Sequence, residues 1–333
     1  MSPVRRWFAW VLPTVAVVFA ATRLWLPLYS IGPGPAREVA PLVHVDGRPV
    51  YASQGRWVLT AVRIERLTAV GAIASWLDPA REVVDGSQIY PAGTTEAEQR
   101  ERSVSEMDQS KLDATYVVLS DLTDYPAEHG DGVLIEDVVD GCAAEGELYP
   151  GDLVLAIGDA SVSTVGQARR AIDAVPSGSS VMFDVSAAGE RHEIELVREP
   201  CGDSKDPLVG VSMIANFPFG VRMESGDIGG SSAGLMWALT LYDLLTAGDL
   251  TDGRTIAGTG VLYRDGTVAP IGGIREKIVA ASRAGADVFL IPRDNVAEAG
   301  ATPDGMRLVA IDTFDDAVAV LGAAARDGRP MPR

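Results

Sequence analysis

The chain has 333 residues, room for about two domains, and 47% of them are apolar, ample for a hydrophobic core. Its 35 glycines and 20 prolines fall short of a low-complexity composition. A formal charge of -18 without clustered Lys or Arg argues against nucleic acid as a partner, since that binding needs cations to displace counterions. The three histidines (His44, His129, His192) are scattered and the two cysteines are too few for a structural zinc site, so neither metal nor cofactor is expected. No GxxxxGK[ST] run marks an ATPase module within this sequence.

Trp7 to Thr22 is an uncharged run of sixteen residues, and apolar character resumes after Arg23 through Leu24, Trp25, Leu26, Leu28 and Tyr29. Counted from Trp7 to Tyr29, the run is long enough for a membrane-spanning helix if Arg23 snorkels to the outer interface. Arg5 and Arg6 precede it, which puts the N-terminus in the cytoplasm and everything after about Ser30 outside. Phe19-Ala20-Ala21 loosely resembles a signal-peptide cleavage site, but the continued apolarity favours a retained anchor. Either way the body lies outside the cytoplasm. There Cys142 and Cys201 form a disulfide or stand as two thiols, and spacing alone leaves both open.

Residues 1–30 are therefore read as cytoplasmic N-terminus and anchor, and 31–40, with Ile31-Gly-Pro-Gly-Pro35, as a stiff linker. Residues 41–115 carry two β-rich runs, Leu42–Val45 and Arg56–Ile64, separated by the hairpin-like signal Asp46-Gly47. A helix is expected over Ala69–Leu77. Another is expected over 94–113, where an N-cap threonine precedes glutamates; its charge suggests a solvated face or spacer.

From 116 to 200 the pattern changes. A strand over Gly132–Val138 is followed by a short helix candidate at Gly141–Ala144. Then Pro150-Gly151-Asp152 drops into the apolar strand Leu153–Ile157. Thr164–Val175 reads as an amphipathic helix, and strands over Val181–Ser186 and His192–Val197 close the unit. This segment resembles a bacterial PDZ domain, which implies capture of a peptide by strand addition. The resemblance places a carboxylate-binding loop just before a strand near Tyr116–Leu119, where no Gly-Leu-Gly-Phe-like signature stands.

Residues 205–325 carry the chemistry. Gly229-Gly230-Ser231-Ser232-Ala233-Gly234 opens a long apolar helix reaching Leu245. Its first turn presents unsatisfied N–H groups and a positive dipole end, so Gly230 and Ser231 are candidate oxyanion donors. A serine at a helix entry is often no more than an N-cap. Lys277, in the first turn of the helix after Gly272-Gly273, changes that reading. The macrodipole and burial by Ile274, Ile278 and Ala281 both lower its pKa, leaving an amine able to take a proton from Ser232.

Ser232-Ala233-Gly234, Thr259-Gly260, Pro270–Gly273 and Lys277 in "GGIREK" resemble the proteolytic domain of Lon-type serine peptidases. That resemblance implies Ser232 as nucleophile, Lys277 as general base and Thr259 as the residue that orients the dyad. Ser231 stands where the family usually has proline, which loosens the turn. The fold implied is an α/β (α+β) Lon-type proteolytic domain, ribosomal protein S5 domain 2-like, with an inserted mainly-β PDZ domain and an N-terminal transmembrane helix. The whole is similar to the membrane-anchored PDZ–Lon peptidases of Gram-positive bacteria. In that group the early strands, here about Leu42–Ile64, belong to the protease domain. The expected activity is an ATP-independent endopeptidase acting on peptides or flexible segments, its partners a peptide substrate and the lipid bilayer, with a homo-oligomer left open. The rivals are a non-catalytic PDZ scaffold on a degenerate Lon-like fold, and an amidase or esterase using the same dyad.

Overall fold

The computed structural model describes residues 19, 21–90, 93–187 and 189–327. In chain order the first elements are β1 (Trp25–Glu38), β2 (Val43–Val45) and β3 (Arg56–Thr68), then helix α1 (Ala69–Leu77), β4 (Glu82–Asp85) and a single helical turn, Gly86–Ile89. A 27-residue helix, α2 (Glu96–Leu122), leads into β5 (Val133–Val138), β6 (Leu153–Ile157), β7 (Ala160–Ser161), α3 (Val165–Asp173), β8 (Ser179–Ala187), β9 (Glu190–Pro200), β10 (Pro207–Leu208) and β11 (Val211–Ala215). The last part comprises β12 (Val221–Met223), α4 (Gly234–Leu245), β13 (Thr255–Gly258), β14 (Val261–Leu262), β15 (Val268–Ala269), α5 (Ile274–Arg283), β16 (Val288–Pro292), β17 (Arg307–Ile311) and α6 (Phe314–Asp327).

Two sheets organise these elements. The first has the order β17-β16-β13-β3-β1-β4 and so joins strands from both ends of the chain. Residues along β3 alternate: Trp57 and Leu59 enter one core with α2, α4 and α6, while Val58 enters a second core with Ile274 and Ile278 of α5. That two-residue period puts helices on both faces of the sheet. The second sheet runs β10-β9-β8-β6-β5-β11, with β7 beside β6, and closes over its own core of Val133, Leu148, Phe183, Val185 and Leu196. It lies in sequence between strands of the first sheet and is thus an insertion.

Local signals explain the helix starts. Thr95 Oγ1 accepts from the Glu98 N–H at 3.2 Å while Glu98 Oε2 accepts from the Thr95 N–H at 2.6 Å. The same reciprocal cap opens α3 through Thr164 and Gln167.

Several expectations need correction. Residues 1–18, which hold most of the expected span, lie outside the described residues, as does Ala20. Trp25–Tyr29, counted into that span, instead begin β1, and residues 31–38 of the expected linker continue it, paired with β3. Backbone pairing with β3 fixes them as strand whatever their side-chain hydropathy. Among the described residues no helix is long and apolar enough to cross a membrane.

Leu42–Val45 and Arg56–Ile64 do not form a hairpin either. β2 pairs with β12, and β3 with β1 and β13, because distant strands outcompete the local turn. Tyr116–Leu119 belongs to α2 rather than to a strand of the insertion, and Gly141–Ala144 is a run of turns rather than a helix. β11, read as protease, completes the inserted sheet against β5. The charged helix is no solvated spacer: past Ser105 it buries Met107, Leu112, Ala114, Val117, Val118 and Leu119.

The two cysteines form a disulfide, Cys142–Cys201, with Cα atoms 5.1 Å apart, tying the turn after β5 to the residue following β9.

Candidate active site

Ser232 sits in a single 3-10 turn, Ser231–Ala233, from which α4 continues. Gly230 enters that turn at φ 88°, a left-handed conformation that glycine adopts without a Cβ penalty. Two residues of α2 hold the turn. The Gly230 N–H donates to the Ser103 carbonyl at 2.7 Å, and Ser110 Oγ donates to the Ser231 carbonyl at 3.0 Å. Gly229 has to lack a side chain, because a Cβ there would collide with Ser103. Ser103 and Ser110 were missed by the sequence reading. Their signal is a seven-residue spacing of small polar side chains that shares a helix face with Met107 and Ala114.

Lys277 comes from the first turn of α5, whose N-cap is Gly273 in the left-handed region, with no side-chain cap. Its Nζ lies 2.6 Å from Ser232 Oγ and 3.0 Å from Thr259 Oγ1. Thr259, directly after β13, donates its hydroxyl proton to the Ser232 carbonyl at 2.9 Å, and the Gly260 N–H donates to the same oxygen at 2.9 Å. With its own proton committed, Thr259 Oγ1 can only accept from Nζ. That contact directs the remaining valence of the nitrogen toward Ser232.

Burial sets the electrostatics. Lys277 is 3% exposed and Thr259 1%. Desolvation lowers the Lys277 amine from its usual range to about 7. No neighbouring charge contributes to that shift, so burial alone does what the macrodipole was also expected to do. Among the described residues no carboxylate lies within ion-pair distance of Nζ. The adjacent Glu276 is itself pushed up by burial.

The structure thus brings Ser232, Lys277 and Thr259 within hydrogen-bond distance of one another. It separates Gly230 from the set: the N–H expected to serve an oxyanion is bonded to Ser103, because α2 packs against the turn. The N–H groups of Ser231 and Ser232 precede any acceptor within the 3-10 turn and are the donors that remain. Ser231, expected to loosen the turn, is instead pinned through its carbonyl by Ser110.

Beside Ser231 opens a cleft of about 780 Å³ between α2 and the inserted sheet. Its walls carry Glu98, Glu101, Glu106, Asp113, Asp137, Asp140 and Glu145 against Arg102, with Val261, Leu262 and Tyr263 at the catalytic end. Arg264 bridges the two bodies there. It donates to Asp113 of α2 at 2.7 Å and to Glu136 of β5, and stacks over Tyr116.

A serine and a buried, neutralisable lysine meet at the entries of two helices on this α/β sheet, the pairing that a serine-type peptidase dyad requires. Residues 220–323 match the family model of the Lon protease (S16) C-terminal proteolytic domain. The chain is 33% identical to the Lon protease of Campylobacter concisus over 121 residues, 34% of this chain and 15% of that protein. It is 42% identical to a mitochondrial Lon protease homolog of Eremothecium gossypii over 96 residues, 28% of this chain and 9% of that one. The chain therefore spans 9–16% of the length of these curated relatives. Among solved structures, the PDZ domain of an SdrC-like protein from Listeria monocytogenes is similar at 19% identity and a TM-score of 0.24, over 26% of this chain and 90% of that one. A likeness of that size carries no argument of its own.

Proposed function

We propose that this protein is a membrane-tethered, extracytoplasmic serine endopeptidase that works without ATP, forming an acyl-enzyme on Ser232 with Lys277 as general base. The observation that carries this reading is the 2.6 Å approach of Lys277 Nζ to Ser232 Oγ in a dry pocket that lowers the amine to about 7. Once the amine is neutral, the serine hydroxyl donates to its lone pair while an amine N–H donates to Thr259.

Ser232 Oγ then attacks the scissile carbonyl as its proton passes to Lys277. The new oxyanion meets the N–H groups of Ser231 and Ser232 at the positive end of the turn. The lysine ammonium gives its proton to the departing amine, the C–N bond breaks, and the acyl group remains on Ser232. Water, deprotonated by the same lysine, hydrolyses the ester and releases the new C-terminus.

Peptides and flexible segments are the substrates this reading implies, since no unfolding module lies within this sequence. The order of the inserted sheet supports a PDZ role: β11 is its terminal strand, with α3 packed beside it, and the short link Val209–Gly210 after β10 precedes it. A peptide strand added at that edge would lie next to the cleft's outer wall. Compartment and tether rest on the apolar run after Arg5 and Arg6 and on the disulfide, a bond that persists in oxidising surroundings.

The test is hydrolysis of an unstructured peptide by the full chain. Ser232→Ala is expected to abolish it and Ser231→Ala to leave most of it. Undiminished cleavage by Ser232→Ala sinks the assignment. Peptide binding without labelling of Ser232 by a serine-directed acylating probe would favour a scaffold instead.

A further inference from the structure

Helix α1 is built inside out. Val70, Ile73, Trp76 and Leu77 fall on one helical face, and all four are exposed: Ile73 by 63%, Trp76 by 78% and Leu77 by 69%. The face turned to the body carries Gly71 and Ser75, and Ser75, 4% exposed, is the helix's one buried residue. A surface helix on a water-facing protein points its large apolar side chains inward. Here the small and polar residues point inward and a tryptophan points out.

The patch continues past the helix. Phe19, Leu24 and Trp25 are exposed by more than half. The first N–H of α1, that of Ala69, donates to the Leu24 carbonyl at 3.0 Å, so the patch begins where the uncharged run Trp7–Thr22 joins the fold. Arg23 stands at that junction, with its guanidinium over the Phe19 ring, and Arg66 lies just before α1 on β3. Glu65 and Asp78 nearby are each within ion-pair distance of Arg81, so the rim of the patch carries charges of both signs while its centre carries none.

We infer that α1, with Leu24 and Trp25, lies in the interfacial layer of the same bilayer that the N-terminal run enters, apolar face inserted and arginines at headgroup level. This rests on the tether proposed above and adds a second membrane contact to it. The occupant is lipid because the apolar face is continuous with the segment read as entering lipid. Its two tryptophans suit the boundary between hydrocarbon and water. A protein docked on lipid at two points cannot swivel freely about its anchor. The cleft between α2 and the inserted sheet would then hold a fixed height and angle above the membrane, favouring substrates that are themselves near the surface.

The experiment uses the full chain reconstituted in phosphatidylglycerol–phosphatidylethanolamine vesicles. Both native cysteines are in the disulfide, so a single nitroxide can be placed at Trp76→Cys, at Ile73→Cys, or at Asp159→Cys on the exposed tip of the β6–β7 hairpin. The ratio of collision with oxygen to collision with a water-soluble nickel chelate is expected to be several-fold higher at Trp76 and Ile73 than at Asp159. Flotation and carbonate extraction of the same samples test the tether separately. A chain that floats and resists carbonate, yet has nickel-accessible labels at both α1 positions, overturns this inference and leaves the tether standing. A chain that does not float overturns both. Labels that broaden one another through a second copy also overturn it, because the face then belongs to a dimer.

Discussion

The pocket around Ser232 and Lys277 and the junction with the inserted sheet use charge in opposite ways. Around Ser232 the protein removes it: Lys277 and Thr259 are buried, no carboxylate among the described residues pairs the lysine, and desolvation brings the amine to about 7. In the cleft that opens beside Ser231, and at its Arg264 bridge, charge gathers instead. Arg264 sits between Asp113 and Glu136, and carboxylates line the walls. The difference teaches which conditions each half should feel. A neutral buried base responds to pH and hardly to salt, while a partly solvated charged cleft responds to salt.

The largest effects should come from the dry side. Ser232→Ala or Lys277→Met is expected to lower kcat/KM by roughly 10⁴-fold or more in a peptide-cleavage assay, because the two act as one unit. Wild-type kcat/KM should climb with pH and level off above about 7, as the amine loses its proton, with little change between low and high salt. The same lysine makes a stability prediction. Its folded pKa lies below the unfolded value near 10.4, so between about 7 and that value the unfolded chain binds more protons and stability rises with pH. At pH 7 and below, the desolvated lysine costs the fold on the order of 4 kcal/mol. Lys277→Met should therefore melt higher than wild type there while being inactive. A variant that is inactive and melts lower would show that the pocket needs the amine for packing, and the contrast between the two regions would lose its basis.

Thr259→Val removes the acceptor that aims the amine while keeping the shape. A loss of about 10- to 100-fold in kcat, with KM little changed, is expected. On the charged side, a basic peptide should be cleaved faster than an acidic one of the same length, and raising salt should erase most of that preference. Arg264→Ala should cost about 1–3 kcal/mol in a denaturant melt, since it leaves two part-buried carboxylates unpaired. It should spare cleavage of peptides too short to reach the inserted sheet. The smallest effect belongs to Arg191→Ala on the β8–β9 hairpin. Its exposed pair with Asp184 should leave the same melt essentially unmoved.

A second contrast lies in helices α1 and α2, the longer helices before and after β4. α1 is apolar and exposed; α2 begins as a run of charges and ends buried. Composition alone predicts the reverse for each. What decides is whether another element comes to cover the face, and α2 is covered by α4 while the outer face of α1 is covered by nothing among the described residues.

Local signals determined a good deal. The small-residue entry at Ser232, the glycines before Lys277 and the caps at Thr95 and Thr164 depend on neighbours a few residues away, so they are legible in order along the chain. The strand of Leu153–Ile157 and the helix Ala69–Leu77 follow from the same short-range rules. Tertiary structure alone decided the rest. The pairing of β2 with β12, the capture of β11 by the inserted sheet, the bond from Gly230 to Ser103 and the disulfide all join residues dozens to more than a hundred positions apart. Hydropathy patterns name a face as apolar but not the partner that will cover it. The lowered amine of Lys277 belongs to both accounts: the sequence put it at a helix entry, and only packing took away its water.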